Sequence, residues 1–148
     1  MPKEHVFLSY CHDNDKEVEQ LRKDLIAAGE QVWWDGDIKP GQNIRHEIRE
    51  AMERSYAVIL CFSKETEARE ESGMYPEARD AIRVYRELSP GSIFIIPVRL
   101  SRCKIPGFDI DGPTTLHDLK YIDLFPPLER AARLSDLIDS LRSAPAYP

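Results

Sequence analysis

Tyr56-Ala-Val-Ile-Leu-Cys-Phe62, with Ser63 directly after it, is the stretch that decides the fold. A strand with one solvated face alternates apolar and polar residues, whereas an unbroken apolar run is typical of a strand buried on both faces. Strands of that kind occur in parallel sheets that are covered by helices on each side. We therefore predict that residues 56–62 form a central strand of a parallel sheet.

Short apolar segments alternate with segments of helical periodicity on both sides of this run. The helical segments carry apolar residues at a spacing near 3.6, and Gly29 is placed to end the first of them. Alternation of this kind, with right-handed crossovers, predicts a flavodoxin-like, doubly wound α/β fold. We expect a five-stranded parallel sheet of order 2-1-3-4-5 with helices on both faces, the other candidate strands being 6–10, 31–34, 92–98 and 120–124.

Three segments are harder to interpret. Residues 64–71 are highly charged and predict a solvated linker, while residues 99–118 predict an irregular excursion with a short helical turn. Pro97 indicates that the fourth strand ends there or lies near an edge of the sheet. The tail from Ser143 to Pro148 has no packing pattern, so we expect a domain over 1–142 and a linker-like tail over 143–148 that suits a junction to a further domain.

The size and charge of the chain limit its possible partners. With 148 residues, it has the length of one domain that can bury a sizeable core. Its 20 basic and 26 acidic residues give a formal charge of −6, which argues against a nucleic-acid partner because phosphate binding needs a basic patch.

The cysteines and the apolar segments indicate the compartment. Cys11, Cys61 and Cys103 are widely spaced, which predicts neither a disulfide framework nor a zinc site. We expect no metal site, and we expect Cys61 to be a small, buried hydrophobic residue. The charged N-terminus is not a signal peptide, and no apolar run reaches the roughly 18 residues that span a bilayer. A reducing cytoplasm, with no membrane contact, is the predicted location.

The segment Ser72-Gly-Met-Tyr-Pro-Glu-Ala78 follows the central strand and opens a helix. Pro76 suits the first position of that helix, and Glu77 then falls in the first turn. Acidic residues are common there because they interact favourably with the helix dipole, so this position alone is weak evidence of function. In a parallel sheet, however, the carboxylate lies above the carboxyl ends of the strands, where open α/β sheets bind ligands.

Several known types of site do not fit this edge. A phosphoacceptor receiver would need an aspartate after the third strand, where Phe62 and Ser63 stand. No glycine-rich phosphate loop follows the first strand. Cys11 and His12 are adjacent in sequence, and sequence neighbours rarely face each other as a nucleophile and its base.

Four motifs in order resemble the Toll/interleukin-1 receptor (TIR) domain family, in particular its bacterial members. The resemblance covers roughly Val6 to Leu141. Its motifs are Phe7-Leu-Ser-Tyr10 with Asp13-Asn-Asp15, Val32-Trp-Trp-Asp35 with Pro40-Gly41 as the BB loop, Ser55 to Ser63, and Glu77 at the position of the catalytic glutamate of enzymatic TIR domains.

This resemblance implies an NAD⁺ glycohydrolase that cleaves the bond between nicotinamide and ribose, giving ADP-ribose or a cyclised form of it. Glu77 would be the catalytic residue, and we expect the helix dipole to keep it ionised so that it stabilises an oxocarbenium-like transition state. Gly73 stands where TIR enzymes usually carry an aromatic residue, and Tyr75 is the candidate substitute. The implied substrate-binding residues are Ser9, Tyr10, Cys11, Trp34, Asp35, Ser63 and Tyr75.

The same resemblance implies partners rather than cofactors. NAD⁺ would be a substrate, and no cofactor is expected. Ile38, Pro40 and Gly41 in the BB loop would mediate self-association, which activates many TIR enzymes. A fused or separate sensor module would place the protein in a prokaryotic antiviral immune system.

Two other functions stay open. A non-catalytic TIR adaptor would act through BB-loop self-association alone, and Glu77 would then be dispensable. An enzyme like the nucleoside 2-deoxyribosyltransferases shares the fold and uses a glutamate nucleophile, and it would exchange bases on deoxynucleosides without consuming NAD⁺.

Overall fold

A computed structural model describes residues 3–68 and 75–148. In chain order, the strands of these residues are β1 (His5–Ser9), β2 (Val32–Trp33), β3 (Ser55–Phe62), β4 (Ile95–Arg99), β5 (Asp109–Asp111), β6 (Thr114–Thr115) and β7 (Ile122–Asp123). The α-helices are α1 (Asp15–Ala27), α2 (Ile44–Glu53), α3 (Lys64–Ala68), α4 (Tyr75–Tyr85) and α5 (Pro127–Arg142). Short 3-10 turns cover His12–Asn14, Asp35–Asp37 and Leu116–Asp118.

The main sheet has the strand order β2-β1-β3-β4-β7, and every neighbouring pair is parallel. β7 is the fifth strand of this sheet, so the predicted flavodoxin-like order 2-1-3-4-5 is confirmed. The strand order reverses between β1 and β3. After β1 the chain crosses to one face of the sheet, and after β3 it crosses to the other face. A cleft at the carboxyl ends of β1 and β3 is the usual ligand site of such folds.

The central strand β3 is buried along its whole length, as its sequence predicts. Alternate side chains point to opposite faces of a strand, so β3 contributes to two separate cores. Ala57, Ile59 and Cys61 pack on one face, whereas Val58, Leu60 and Phe62 pack on the other. Burial raises the pKa of the Cys61 thiol to about 12, which makes it an inert part of the core.

Helices cover both faces of the sheet. The first core contains the apolar faces of α1 and α5, and the second contains those of α2 and α4. Asn43 caps α2, because its side-chain oxygen accepts a hydrogen bond from the His46 amide at 2.9 Å. The helical residues that fill the two cores are Val18, Leu21, Leu25, Leu137 and Leu141 on one face, and Ala51, Met52, Ala78, Ala81, Ile82 and Val84 on the other.

The charged segment after β3 is not the linker that its composition predicts. Residues 64–68 form α3, and residues 69–71 lie outside the described residues. Ser63 caps the helix: its hydroxyl accepts from the Thr66 amide at 3.2 Å, while the Thr66 hydroxyl accepts from the Ser63 amide at 2.7 Å. This reciprocal cap, rather than apolar periodicity, stabilises the first turn of α3.

The segment from 99 to 118 contains a two-stranded hairpin, β5–β6, which the sequence did not predict. The short helical turn that the sequence did predict follows it. Ile110 and Leu116 anchor the hairpin to the second core, and the Arg86 guanidinium donates to the Ile110 carbonyl.

Pro97 lies inside β4, which is an interior strand. The Phe94 carbonyl faces β3 and the Arg99 carbonyl faces β7, so the alternation along the strand turns the Pro97 nitrogen toward β7. Because β7 pairs only with Val98 and Arg99, the missing N–H of Pro97 removes no hydrogen bond from the sheet.

The prediction that residues 143–148 do not pack is wrong. Ala144 is 5% exposed, and the Tyr147 ring meets the Tyr56 ring edge-on with centroids 5.0 Å apart. The Tyr147 hydroxyl donates to the buried carboxylate of Glu30 at 3.3 Å, and the Tyr56 hydroxyl donates to the same carboxylate at 2.8 Å. The tail therefore completes the first core.

Replacing Tyr147 by alanine should lower the free energy of unfolding by about 1–3 kcal/mol, because it removes a buried aromatic contact and a hydrogen bond. Urea denaturation measures the change. Tyr147→Phe keeps the ring and should cost about 1 kcal/mol, and Leu128→Ala, at a side chain that is 98% exposed, should cost less than about 0.5 kcal/mol. A Tyr147→Ala variant as stable as Leu128→Ala would show that the tail contributes nothing to the core.

Within the described ranges, no helix combines the length and the apolar composition that crossing a membrane requires.

Candidate active site

Glu77 lies in the first turn of α4, as predicted, and its helix packs on the second core through Ala78, Ala81 and Ile82. This packing turns the Glu77 side chain toward the carboxyl end of β1. There the Ser9 hydroxyl donates a hydrogen bond to Glu77 Oε2. Ser9 is the last residue of β1 and is only 1% exposed. The structure thus brings together two residues that the sequence assigns to one site, 68 positions apart.

Burial dominates the electrostatics of Glu77. Loss of hydration raises the pKa of this carboxyl from its ordinary value of 4.5 to about 7, although the hydrogen bond from Ser9 favours the ionised form. The charge of Asp35 raises the pKa further. The helix dipole therefore does not by itself keep Glu77 ionised, because burial raises the pKa of the carboxyl so that its protonated and ionised forms coexist near pH 7.

Asp35 stands at the centre of a second group of polar side chains, next to β2. The Tyr10 hydroxyl donates to Asp35 Oδ1 at 3.0 Å, and His12 Nε2 lies 3.0 Å from Asp35 Oδ2. The other ring nitrogen of His12 lies 3.4 Å from Asp15 Oδ1. Burial, with Asp35 alongside, raises the pKa of Tyr10 above its ordinary value, so this phenol is a hydrogen-bond donor at neutral pH.

The Trp34 side chain packs against this group. Its ring stacks on Tyr10 with centroids 6.1 Å apart. The guanidinium group of Arg22, a residue of α1, lies 4.5 Å from the centroid of the Trp34 ring. A Cβ at Gly36 would come within 2.8 Å of the Trp34 ring, so only glycine fits at this position. Trp34 also packs against the first core, which makes it a supporting residue for Tyr10; contact with substrate stays a prediction.

Two of the other predicted residues are engaged within the protein. Cys11 is buried, and its thiol lies 3.6 Å from Asp13 Oδ2. Ser63 is fully buried, and its hydroxyl donates to Asn14 Oδ1 at 2.7 Å. Tyr75 begins α4, but its side chain and Gly73 lie outside what the structure describes.

The predicted BB loop is an exposed segment between β2 and α2. Pro40 and Gly41 are exposed, Ile38 is partly buried, and Gly41 has a φ of +89°, which glycine adopts without strain. All three line a shallow depression that also reaches Asp35 and Ile44. The Ile44 side chain is 63% exposed. The loop therefore lies beside the candidate site and presents apolar surface to solvent.

A separate small cavity of about 200 Å³ lies between α2 and α4 and has Glu77 in its wall. Arg45 and Arg49 of α2 also line it, as does Asp80 of α4. No metal-ligand cluster of histidine, cysteine and carboxylate side chains occurs within residues 3–68 and 75–148.

Sequence analysis missed three residues of this region. His12 was considered only as a partner of Cys11, yet its imidazole faces Asp35. Arg45 and Arg49 were missed altogether. Their spacing of four residues in a helix was a usable signal, since it places both side chains on the same face of α2.

The fold and the site define a class of α/β proteins with a buried carboxyl group at the carboxyl edge of a parallel sheet. The model of one family, described as the TIR domain, matches residues 6–138. The chain belongs to the TIR domain family. A comparison with curated protein sequences finds no match.

Solved TIR structures share this fold. The TIR domain of the Toll-related receptor TRR-2 from Hydra magnipapillata is 19% identical, with a TM-score of 0.68, and the match covers 93% of this chain and 97% of that one. A metazoan TIR-STING receptor from C. gigas in complex with 2′,3′-cGAMP is 20% identical with a TM-score of 0.64, over 97% of this chain and 40% of that chain. The TIR domains of the activated Roq1 resistosome are 24% identical with a TM-score of 0.57, over 66% and 58% of the two chains.

Proposed function

We propose that this TIR domain is an NAD⁺ glycohydrolase with Glu77 as its catalytic residue. The observation that carries the proposal is the pairing of the carboxyl of the partly buried Glu77 with Ser9 at the carboxyl end of β1, in the wall of a cavity. A carboxyl placed in this way at the sheet edge suits reactions that develop positive charge on a sugar.

The chemistry needs little beyond a well-placed carboxylate. When the bond between C1′ of the ribose and the pyridinium nitrogen breaks, its electron pair leaves with nicotinamide, which departs as a neutral molecule. Positive charge then develops on C1′ and the ring oxygen. The ionised Glu77 stabilises this charge, and the hydroxyl of Ser9 holds the carboxylate in place. Water adds to C1′ and loses a proton, which gives ADP-ribose, whereas attack by a nucleophile of the same molecule gives a cyclic product.

Incubating the purified chain with NAD⁺ and identifying the products by mass spectrometry tests this proposal. Nicotinamide is the expected product, together with ADP-ribose or a cyclic ADP-ribose whose mass is lower by one water. Many TIR enzymes act only when assembled, so the assay should also be run at high protein concentration and on filaments. A chain that exchanges bases on deoxynucleosides and leaves NAD⁺ intact would instead be a deoxyribosyltransferase-like enzyme.

The BB loop supports a second part of the proposal, which is that the domain works as an assembly. Its exposed apolar surface, formed by Ile38, Pro40 and the neighbouring Ile44, is of the kind that mediates protein contacts. The resemblance to bacterial TIR proteins favours an effector of prokaryotic antiviral immunity that is joined to, or recruited by, a sensor module.

Ile38→Asp should abolish self-association, because it places a charge in an apolar contact. Size-exclusion chromatography with light scattering across a protein concentration series measures the assembly. Leu128→Asp introduces the same charge at an exposed leucine of α5 and should leave assembly unchanged. If Ile38→Asp abolishes both assembly and signalling while Glu77→Ala affects neither, the domain is an adaptor rather than an enzyme.

A further inference from the structure

The cavity between α2 and α4 has walls of opposite charge. Arg45 and Arg49 lie on the α2 side, whereas Glu77 and Asp80 lie on the α4 side. The residues of the two walls share one small space, yet no salt bridge within 4.0 Å joins them among the described residues. A cavity with this arrangement is suited to a ligand that carries both charges.

The two arginines have no partner in the part of the chain that the structure describes. Other arginines of the same layer are paired: Arg54 lies 3.9 Å from Glu50, and Arg83 lies 2.9 Å from Glu53. Two like charges four residues apart destabilise a helix unless something compensates for them. In a chain of net charge −6, two exposed guanidinium groups without a salt-bridge partner on one cavity wall offer favourable contacts to an anion.

The first turn of α2 adds donors to this wall. Asn43 satisfies the His46 amide, while the amides of Ile44 and Arg45 have no acceptor within residues 3–68 and 75–148. Free amides at a helix N-terminus can bind phosphate groups, and both of these amides belong to residues that line the cavity.

A larger depression adjoins this cavity. Ile44 lines both this cavity and the BB-loop depression of about 440 Å³, which includes Lys39. Arg45 and Arg49 thus line one of two neighbouring depressions and Lys39 lines the other. A volume of about 200 Å³ is too small for a whole dinucleotide, and the adjacent depression offers space for the remainder.

We propose that Arg45 and Arg49 bind the pyrophosphate of the substrate, while Glu77 and Asp80 face its cationic nicotinamide riboside. This inference rests on the proposed function, and it names what that function leaves open, namely which groups select a dinucleotide over a nucleoside. The two ends of NAD⁺ carry opposite charges, and the walls of the cavity carry the charges that complement them.

Calorimetric titration of the intact chain with ADP-ribose tests the pyrophosphate contact without any turnover. The wild-type chain should bind ADP-ribose, and Arg45→Ala/Arg49→Ala should weaken that binding at least about tenfold and reduce its dependence on salt. Arg54→Ala removes the same charge from the end of the same helix, outside the cavity, and should change the affinity less than about twofold. Binding of adenosine, which lacks phosphate, should not differ among the variants.

Steady-state kinetics supply a second readout. The double arginine variant should raise the KM for NAD⁺ with little change in kcat, and it should leave the turnover of nicotinamide riboside unaltered. A wild-type chain that does not bind ADP-ribose, or a double variant that binds it as tightly as the wild type, would overturn the inference. Arginine-dependent ADP-ribose binding without nicotinamide release, from the concentrated and the filamentous protein as well, would refute the proposed function alone. Glu77-dependent release that is unaffected by loss of both arginines would refute this inference alone.

Discussion

Glu77→Gln is expected to reduce nicotinamide release from NAD⁺ by at least about 100-fold, because it removes the charge that stabilises the developing oxocarbenium ion. Glutamine has nearly the shape of glutamate and can still accept the hydrogen bond from Ser9, so the site stays intact. A chromatographic assay of nicotinamide, with kcat and KM determined separately, measures the loss. The decrease should appear in kcat, since the charge acts mainly in the transition state.

The pH profile of the wild-type enzyme is an independent check on this role. The reaction requires the ionised carboxylate, and burial raises the Glu77 pKa to about 7, so kcat/KM should rise as the pH increases through 7 and then level off. Glu87→Gln, at an exposed position beyond the end of α4, serves as the matched control and should retain full activity. Equal turnover by Glu77→Gln and the wild-type chain would reject Glu77 as the catalytic residue.

The same substitution is expected to stabilise the protein at neutral pH. The unfolded chain ionises Glu77 near pH 4.5, whereas the folded chain holds the proton until about pH 7. The folded state thus binds more protons between these values, and the free energy of unfolding of the wild-type protein decreases as the pH rises through that window. Above pH 7 the folded protein carries a buried charge at a cost on the order of 2–3 kcal/mol.

Glu77→Gln removes this cost because its amide does not ionise. At pH 8 its melting temperature should exceed that of the wild type by roughly 5–10 °C, and near pH 4.5 the two proteins should melt together. Differential scanning calorimetry from pH 4.5 to 8 gives the comparison. Glu87→Gln should follow the wild-type curve at every pH, and a pH-independent difference between Glu77→Gln and the wild type would show that the effect does not come from ionisation of this carboxyl.

The fold could be predicted because its signals are local periodicities. The unbroken apolar run of β3 identified a strand with two buried faces, and alternation with amphipathic helices fixed a parallel sheet. The tail was misjudged because Tyr147 packs through one ring and one hydroxyl, which create no period. The hairpin β5–β6 was missed for a related reason, since Ile110 and Leu116 are its anchors within an otherwise polar segment.

The candidate site was predictable in position but not in electrostatics. Strand order places the end of β1 beside the start of α4, so Ser9 and Glu77 could be assigned to one edge in advance. The ionisation of Glu77 depends on how deeply its carboxyl is buried, which a helical wheel does not give. Arg45 and Arg49 acquire meaning only when α2 and α4 enclose a cavity, because that contact joins distant parts of the chain.

The packing of Tyr147 on Tyr56 also determines where an attached group would stand. Tyr56 is at the amino end of β3, while Ser9 marks the carboxyl end of the neighbouring strand. An affinity tag or sensor-chip linker joined after Pro148 would therefore extend from the edge of the sheet remote from Glu77. Immobilisation through that terminus should leave the nucleotide approach open, which makes it the preferred geometry for measuring ligand binding on a surface.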